Sequence, residues 1–317
     1  MKKIILGRSG IEVTELCFGT LPIGPLQKNA SAEEASDIIA HGLRSGITFV
    51  DTAQVYKTYS QISLAMRQSH IIPVIASKSS AKSYSEMNEA VEQALKELCV
   101  NKIDIFLLHA ARVKKTILEE RENPLKCLLD YREKGVIKAV GISTHVVDVV
   151  NAAAVHPEID IVFPLINRLG MGIIGGSREE MEIAINECHN NNKGVYVMKI
   201  LAGGNFVSDY KESMDYFSRF SSGRFARAIG MLSKEEVDMN IRYMNDEDIS
   251  SELANTSIQN KHFVIMKQCT KCGSCVEACH SDAISIGDGD RARIDESKCI
   301  KCGYCVAACP QFCIRMN

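Results

Sequence analysis

The sequence predicts a (β/α)8 barrel followed by a small α+β cysteine-rich domain. Three observations carry this reading. Eight short apolar runs alternate with helix-like stretches between residues 11 and 245. No GxGxxG fingerprint follows the first of them. Nine of the chain's 13 cysteines lie after residue 268. A doubly wound open sheet is the alternative for the first region, but the count of eight and the missing fingerprint favour a barrel.

The elements follow in order. "KKIILGRSGIEV" reads as a hairpin turning at Gly7–Gly10, placed to plug the barrel floor. The strand runs are 15–20, 47–53, 74–78, 103–110, 139–144, 161–166, 194–200 and 226–231. Most are short, apolar and bounded by polar residues, as strands buried on both faces of a parallel sheet are. Ser31 with Glu34 forms a capping box before a helix that Gly46 can end. "SEMNEAVEQALKELCV" (85–100) has apolar residues at helical spacing. Residues 246–265 are polar and mixed, and read as a linker between a barrel at 1–245 and a cysteine-rich domain at 266–317.

Composition narrows the function. The 317 residues are 46% hydrophobic and 24% charged, with a net charge of −2. No basic excess points to nucleic acid. No apolar run approaches the roughly 20 residues that cross a membrane. The apolar start stops at Gly7, short of a signal peptide's core. The expectation is a cytoplasmic protein. Cysteines crowded at CxxC spacing then point to metal rather than disulfides. Cys17, Cys99, Cys127 and Cys188 are scattered and read as small buried apolar residues.

The cysteine-rich end is duplicated. "CTKCGSCVEACHSDAISI" (269–286) aligns with "CIKCGYCVAACPQFCIRM" (299–316), each containing C-x2-C-x2-C-x3-C. Three closely spaced thiolates serve three irons of a cubane, and the fourth iron needs a ligand from elsewhere. Zinc wants two separated pairs instead. The segment resembles the bacterial two-cluster ferredoxins over nearly its whole length. The resemblance implies two 4Fe–4S clusters. Cys269, Cys272, Cys275 and Cys309 would hold one, and Cys299, Cys302, Cys305 and Cys279 the other. Gly273 and Gly303 permit the tight loops. Pro310 stands where that family places a proline, and His280 takes the matching position in the first unit. Cys313 aligns with Ala283 and reads as a small core residue.

In the barrel, four polar residues fall at or just after successive strand ends, where barrel enzymes place chemistry: Asp51, Tyr56, Lys78 and His109. A free tyrosine titrates near about pH 10. A neighbouring ammonium would stabilise the phenolate and lower that value. Lys78 is placed for this, with Asp51 keeping the lysine charged and His109 positioned to hydrogen-bond a substrate oxygen. Each of these residues taken alone also fits a structural role. "GRSGIEVTELCFGT", "FVDTAQVY", "SK" and "DIFLLH" occur in an order and spacing that resembles the aldo-keto reductases, over roughly residues 5–245. The resemblance implies Tyr56 as general acid, Asp51 and Lys78 as its tuning partners, His109 as the orienting residue, and hydride transfer between a nicotinamide and a carbonyl.

The same resemblance assigns cofactor contacts. Ser143 and Asn167 match residues near the nicotinamide amide, Gly203 and Gly204 the pyrophosphate loop, and Asn240 a residue facing adenine. The family's pattern is altered at Thr144, at Phe163 in place of a glutamine, and at Met198 in place of a stacking aromatic. Glu236 replaces an arginine that grips a 2′-phosphate. Lys234 is the nearby cation, and Ser233 with Glu236 reads as a capping box. The family's long C-terminal substrate loop is missing. The cluster domain occupies its place in sequence and is expected near the barrel mouth.

Three functions follow. The first is an NAD(P)H-dependent reductase of a carbonyl, or dehydrogenase of an alcohol, with clusters coupled to a ferredoxin- or flavoprotein-type partner. The second keeps the tetrad as proton donor but feeds it from a flavin or directly from the clusters. The third is a non-catalytic electron-transfer protein with the barrel as scaffold.

Overall fold

A computed structural model describes residues 1–111, 113–250, 262–279, 281–299 and 304–316. It opens with an antiparallel hairpin, β1 (Lys3–Leu6) and β2 (Ile11–Thr14). Gly7 turns it with φ +46°, and a Cβ there would stand 2.5 Å from the carbonyl oxygen of Asn192. Ile4, Leu6, Ile11 and Val13 pack with Cys17, Phe49, Ala76 and Ile105 of the barrel interior, so the hairpin does plug the floor.

Eight parallel strands close the barrel. They are β3 (Leu16–Gly19), β4 (Phe49–Asp51), β5 (Val74–Ser79), β6 (Ile103–Ala110), β7 (Ile137–Thr144), β8 (Ile161–Pro164), β9 (Gly194–Met198) and β10 (Ala226–Gly230). β10 pairs with β3, which closes the ring. All eight coincide with the expected apolar runs. The open-sheet alternative is excluded by that closure.

Outer helices bury apolar stripes against the sheet. They are α1 (Ala32–Arg44), α2 (Tyr59–Ser69), α3 (Tyr84–Leu98), α4 (Ile117–Glu120), α5 (Glu122–Glu133), α6 (Val147–Val155), α7 (Arg178–Asn190), α8 (Tyr210–Ser221) and α9 (Lys234–Met244). The capping box expected at Ser31 is half formed. Ser31 accepts from the Glu34 N–H, but the Glu34 carboxylate turns to Lys28 Nζ at 2.6 Å. A complete box sits instead at Ser83 and Glu86. Cys17, Cys127 and Cys188 are buried as expected, whereas Cys99 is exposed. It ends α3 in a left-handed conformation.

The cluster domain contains β11 (Phe263–Ile265), α10 (Ser274–Glu277), β12 (Ile284–Ser285), β13 (Arg293–Ile294), α11 (Tyr304–Ala308) and β14 (Ile314–Met316). β11, inside the segment read as linker, pairs antiparallel with β14. Residues 251–261 of that segment lie outside the described residues. The domain sits at the barrel mouth. The Phe312 ring occupies the space beside Gly172, in the loop after β8, and Arg315 that beside Gly203, in the loop after β9. No helix among the described residues is long and apolar enough to cross a membrane.

Candidate active site

The floor of the site is a buried ion pair. Asp51 ends β4 and Lys78 lies near the end of β5, and parallel pairing brings their side chains together inside the ring. Lys78 Nζ donates to Asp51 Oδ1 at 2.7 Å, to Oδ2 at 2.8 Å and to the Thr52 carbonyl at 2.8 Å. Tyr196 of β9 donates its hydroxyl to Asp51 Oδ2 at 3.0 Å. Its ring stacks on Phe163 with centroids 3.9 Å apart. Burial works against both charges. It raises the Asp51 carboxyl and lowers the Lys78 ammonium, while each partner opposes the shift of the other. Tyr196 was not singled out by sequence. Its strand was legible, but a buried tyrosine in an apolar run reads as core.

Above the pair stand Tyr56 and His109. Tyr56 ends a short 3-10 turn, Gln54–Tyr56, after β4. Its ring meets His109 edge-on, with centroids 6.0 Å apart and planes at 89°. Lys78 Nζ lies 4.9 Å from the Tyr56 ring centre. The four tetrad residues are therefore brought to one place. The expected lowering of the tyrosine is not: burial first, and the Asp51 charge second, push the Tyr56 hydroxyl well above its ordinary value. The physical reason is that Lys78 spends its three protons on Asp51 and Thr52. His109 is pushed down to about 3, by burial first and then by Lys78, Lys199 and Arg121, so it is neutral near pH 7.

From Tyr56 an open groove runs across the mouth. Asp51, Tyr56, Phe163 and Met198 line one part of it. Gly203 and Gly204 lie in the loop after β9, and Glu236 and Asn240 come from α9. The remaining assigned residues lie differently. Asn167 closes on its own loop, donating to the Met171 carbonyl at 2.9 Å and accepting the Met171 N–H at 3.0 Å. Asn240 accepts from Tyr210 at 2.9 Å and donates to the Glu236 carbonyl at 2.7 Å. Lys234 points to Asp37 at 2.5 Å, away from the groove lining. Ser233 accepts from the Glu236 N–H, but the Glu236 carboxylate takes the Leu232 N–H at 2.8 Å, so the box is again offset. Ser143 is paired in register with His109, and its buried hydroxyl lacks a hydrogen-bond partner among the described residues. That orphaned donor fits a polar group arriving with a ligand.

The thiols gather a second site. Cys269, Cys272, Cys275 and Cys309 all line one cavity, together with Cys313. Three come from the first cysteine run and Cys309 from the second. Backbone N–H groups of Lys271 and Ala292 reach Cys269 Sγ at 3.4 Å, and that of Cys313 reaches Cys309 Sγ at 3.5 Å. N–H donation to ligand sulfur is the support a cluster thiolate uses. Cys269, Cys272, Cys275 and Cys309 are the residues that would hold one 4Fe–4S cluster. Of the second set, Cys279 accepts from the Ala283 N–H at 3.3 Å, while Cys299 and Cys305 pack in the same apolar cluster. Cys302, His280 and Gly303 lie outside the described residues.

Sequence reasoning expected the cluster domain near the barrel mouth but named none of the residues that join the two. Arg315 of β14 lines the barrel groove. Lys199 Nζ lies 5.5 Å from the Phe312 ring centre and 3.2 Å from His145 Nε2. No motif marks such a contact, because it unites residues far apart in the chain.

Comparisons with known proteins agree with this architecture. The model of the "Aldo/keto reductase family" matches residues 15–256, and a "4Fe-4S dicluster domain" matches residues 244–314. A Glycine max protein named "Probable aldo-keto reductase 1" is 28% identical over 207 residues, which is 55% of this chain and 58% of that protein. The chain thus spans less than two thirds of that curated relative. Among solved structures, the holo form of an aldo-keto reductase from Bacillus halodurans superposes with a TM-score of 0.62 at 20% identity, covering 80% of this chain and 94% of that one. A Bombyx mori aldo-keto reductase in complex with NADP gives 0.59 at 14% identity, covering 80% and 91%. At these identities the structures support the fold alone. The closed barrel, the family match over most of its length and the dicluster match beyond it lead to one conclusion: this chain belongs to the aldo/keto reductase family and carries a 4Fe–4S dicluster domain in its C-terminal region.

Proposed function

We propose that the protein reduces a small carbonyl compound, or oxidises the corresponding alcohol, with NAD(P)H, and that its clusters exchange electrons with a ferredoxin- or flavoprotein-type partner. The observation that carries this reading is the continuity of the groove from Tyr56 past Met198 and Gly203 to Asn240. A nicotinamide coenzyme would supply or accept the hydride. Tyr56 would give its hydroxyl proton to the carbonyl oxygen. His109, neutral near pH 7, would hydrogen-bond and orient the same oxygen. Phe163 and Tyr196 keep water from the Asp51–Lys78 pair, which fixes the site's geometry. Ser143 would take a polar group of the nicotinamide.

A second reading, with flavin or the clusters as electron donor, has its own support. The Asn167 amide nitrogen and oxygen are both engaged by Met171, and Phe163 is stacked on Tyr196. Both stand where the family resemblance places the nicotinamide's amide contacts. Isotope transfer tests the choice. Anaerobically reconstituted protein is given NADH or NADPH deuterated at the transferring position and a panel of aldehydes and ketones. Deuterium in the alcohol carbon supports the first reading. Unlabelled alcohol formed only with reduced ferredoxin would overturn it in favour of the second.

A further inference from the structure

Arg315 belongs by sequence to the cluster domain and by position to the barrel. It lies on β14 and is 6% exposed. Its stem runs beside Gly203, where a Cβ would stand 2.3 Å from Arg315 Cδ. Its guanidinium carbon is 4.2 Å from the centre of the Phe312 ring, and Nη1 donates to the Ile314 carbonyl at 2.9 Å. Phe312 is anchored in turn beside Gly172. A planar guanidinium held by its stem and by an aromatic face is pre-organised.

The backbone under it is unusual. Lys199, Ala202, Gly203 and Gly204 have φ of +64°, +48°, +68° and +91°. The Ala202 and Gly204 N–H groups are taken by the Lys199 and Leu201 carbonyls at 2.8 and 2.9 Å, so the positive charge offered at this loop comes from side chains. The charges lining the groove are Asp51, Lys199, Glu236 and Arg315. The acids come from β4 at the tetrad and from α9. Both bases lie at the loop between them.

We propose that Arg315 is the anion-binding residue of the groove and grips the diphosphate of a dinucleotide, so that the cluster domain supplies part of the barrel's coenzyme site. This rests on reading the groove as a dinucleotide site. It gives Gly203 a second reason to be glycine: besides its φ, it leaves room for Arg315. It also ties coenzyme binding to domain docking, because Cys313, two residues before Arg315, lines the cavity ringed by the cluster thiols.

The test is calorimetric titration of the anaerobically reconstituted full chain with NADH, NADPH and ADP-ribose at low and high salt. ADP-ribose carries the diphosphate without the nicotinamide. Arg315→Met keeps an apolar stem against Gly203 and Phe312 and removes the charge. It is expected to bind all three about 10- to 100-fold more weakly, with a shallower salt dependence. Arg315→Lys should fall between, since lysine offers charge without a fork. Equal or tighter binding by the methionine variant overturns the proposal, tighter binding showing that Arg315 obstructs the groove. If that variant loses iron, the lysine variant decides: intermediate affinity for all three supports the proposal, and wild-type affinity overturns it. A wild-type protein that binds none of the three overturns this proposal and the dinucleotide reading together. Binding by wild type with an unchanged methionine variant overturns the proposal alone.

Discussion

Lys78 Nζ lies 4.9 Å from the centre of the Tyr56 ring, yet its protons go elsewhere, to both carboxylate oxygens of Asp51 and to the Thr52 carbonyl. With side chains only 1% and 5% exposed, Lys78 and Asp51 are a buried ion pair before they are anything catalytic. Removing one member strands the other. Lys78→Met is therefore expected to destabilise the barrel by about 3–5 kcal/mol, whereas Lys78→Met combined with Asp51→Leu should recover much of the loss. Denaturant unfolding followed by far-ultraviolet circular dichroism checks both. A stable single variant would show that Tyr196 alone satisfies Asp51.

The same geometry sets the state of Tyr56. With burial and the Asp51 charge both holding its proton on, the ligand-free tyrosine stays a neutral phenol beyond about pH 10. An ultraviolet pH titration of wild type against Tyr56→Phe should show no phenolate from Tyr56 below that pH. The variant's carbonyl-reduction rate is expected to fall about 10²–10⁴-fold, the usual loss for a general acid. Full activity without the hydroxyl would remove Tyr56 from the chemistry.

His109 predicts a pH effect on stability. Its folded value, about 3, lies below the roughly 6.5 of an exposed histidine. As pH falls below about 6.5 the unfolded chain takes up this proton first, so folding is penalised from there down towards about 3. Stability from a neutral His109 is fully present above about pH 6.5. His109→Gln cannot titrate and should flatten the fall in melting temperature between about pH 6.5 and 4. An acid limb identical in both proteins would mean that His109 is already protonated in the folded state.

Much of this was legible in the sequence because it is local or periodic. The eight barrel strands showed as apolar runs, since a strand buried on both faces has no polar alternation to confuse with a helix. The tetrad was legible because its residues fall at successive strand ends within motifs that resemble the aldo-keto reductases, a resemblance that outweighed the structural role each fits alone. The rest depended on partners that sequence cannot pair. Glu34 was read as closing a capping box, but Lys28 offered it a cation. Lys234 was read as facing the groove, but Asp37 stands on the neighbouring helix. Arg315 and Tyr196 were invisible for the same reason: each acts at a site built from a distant part of the chain.

Glu236 bears on coenzyme preference. Its carboxylate is fixed by the Leu232 N–H at 2.8 Å and lines the groove, while Lys234 is engaged with Asp37. Negative charge held there disfavours a 2′-phosphate more than a 2′-hydroxyl. NADPH should bind no more tightly than NADH. Glu236→Gln should improve NADPH affinity more than NADH affinity, and added salt should narrow the difference in the wild type. A strong wild-type preference for NADPH that survives in the glutamine variant would mean that the phosphate sits elsewhere.

Five thiols line the first cluster cavity where a cubane needs four, and the fifth makes the ligand assignment testable. Cys309 Sγ lies 3.4 Å from Cys313 Sγ, and the Cys313 N–H donates to Cys309 Sγ at 3.5 Å. That direction of donation favours Cys309 as the ligand and Cys313 as its support, because an N–H bonded to sulfur stabilises thiolate character. Cys309 also belongs to the second run, so it is the residue that crosses between the duplicated units. Reconstituted wild type should carry about eight irons per chain. Cys309→Ser should fall to about four, with the remaining iron on the other set. Cys313→Ser should keep about eight, because it loses no ligand and its backbone N–H remains. Iron analysis with electron paramagnetic resonance of the reduced proteins reads both outcomes. If Cys309→Ser keeps its iron and the double variant loses it, Cys313 has moved in as ligand, and the spare thiol is a reserve for the crossing position. If Cys313→Ser alone loses a cluster, the crossing ligand is Cys313.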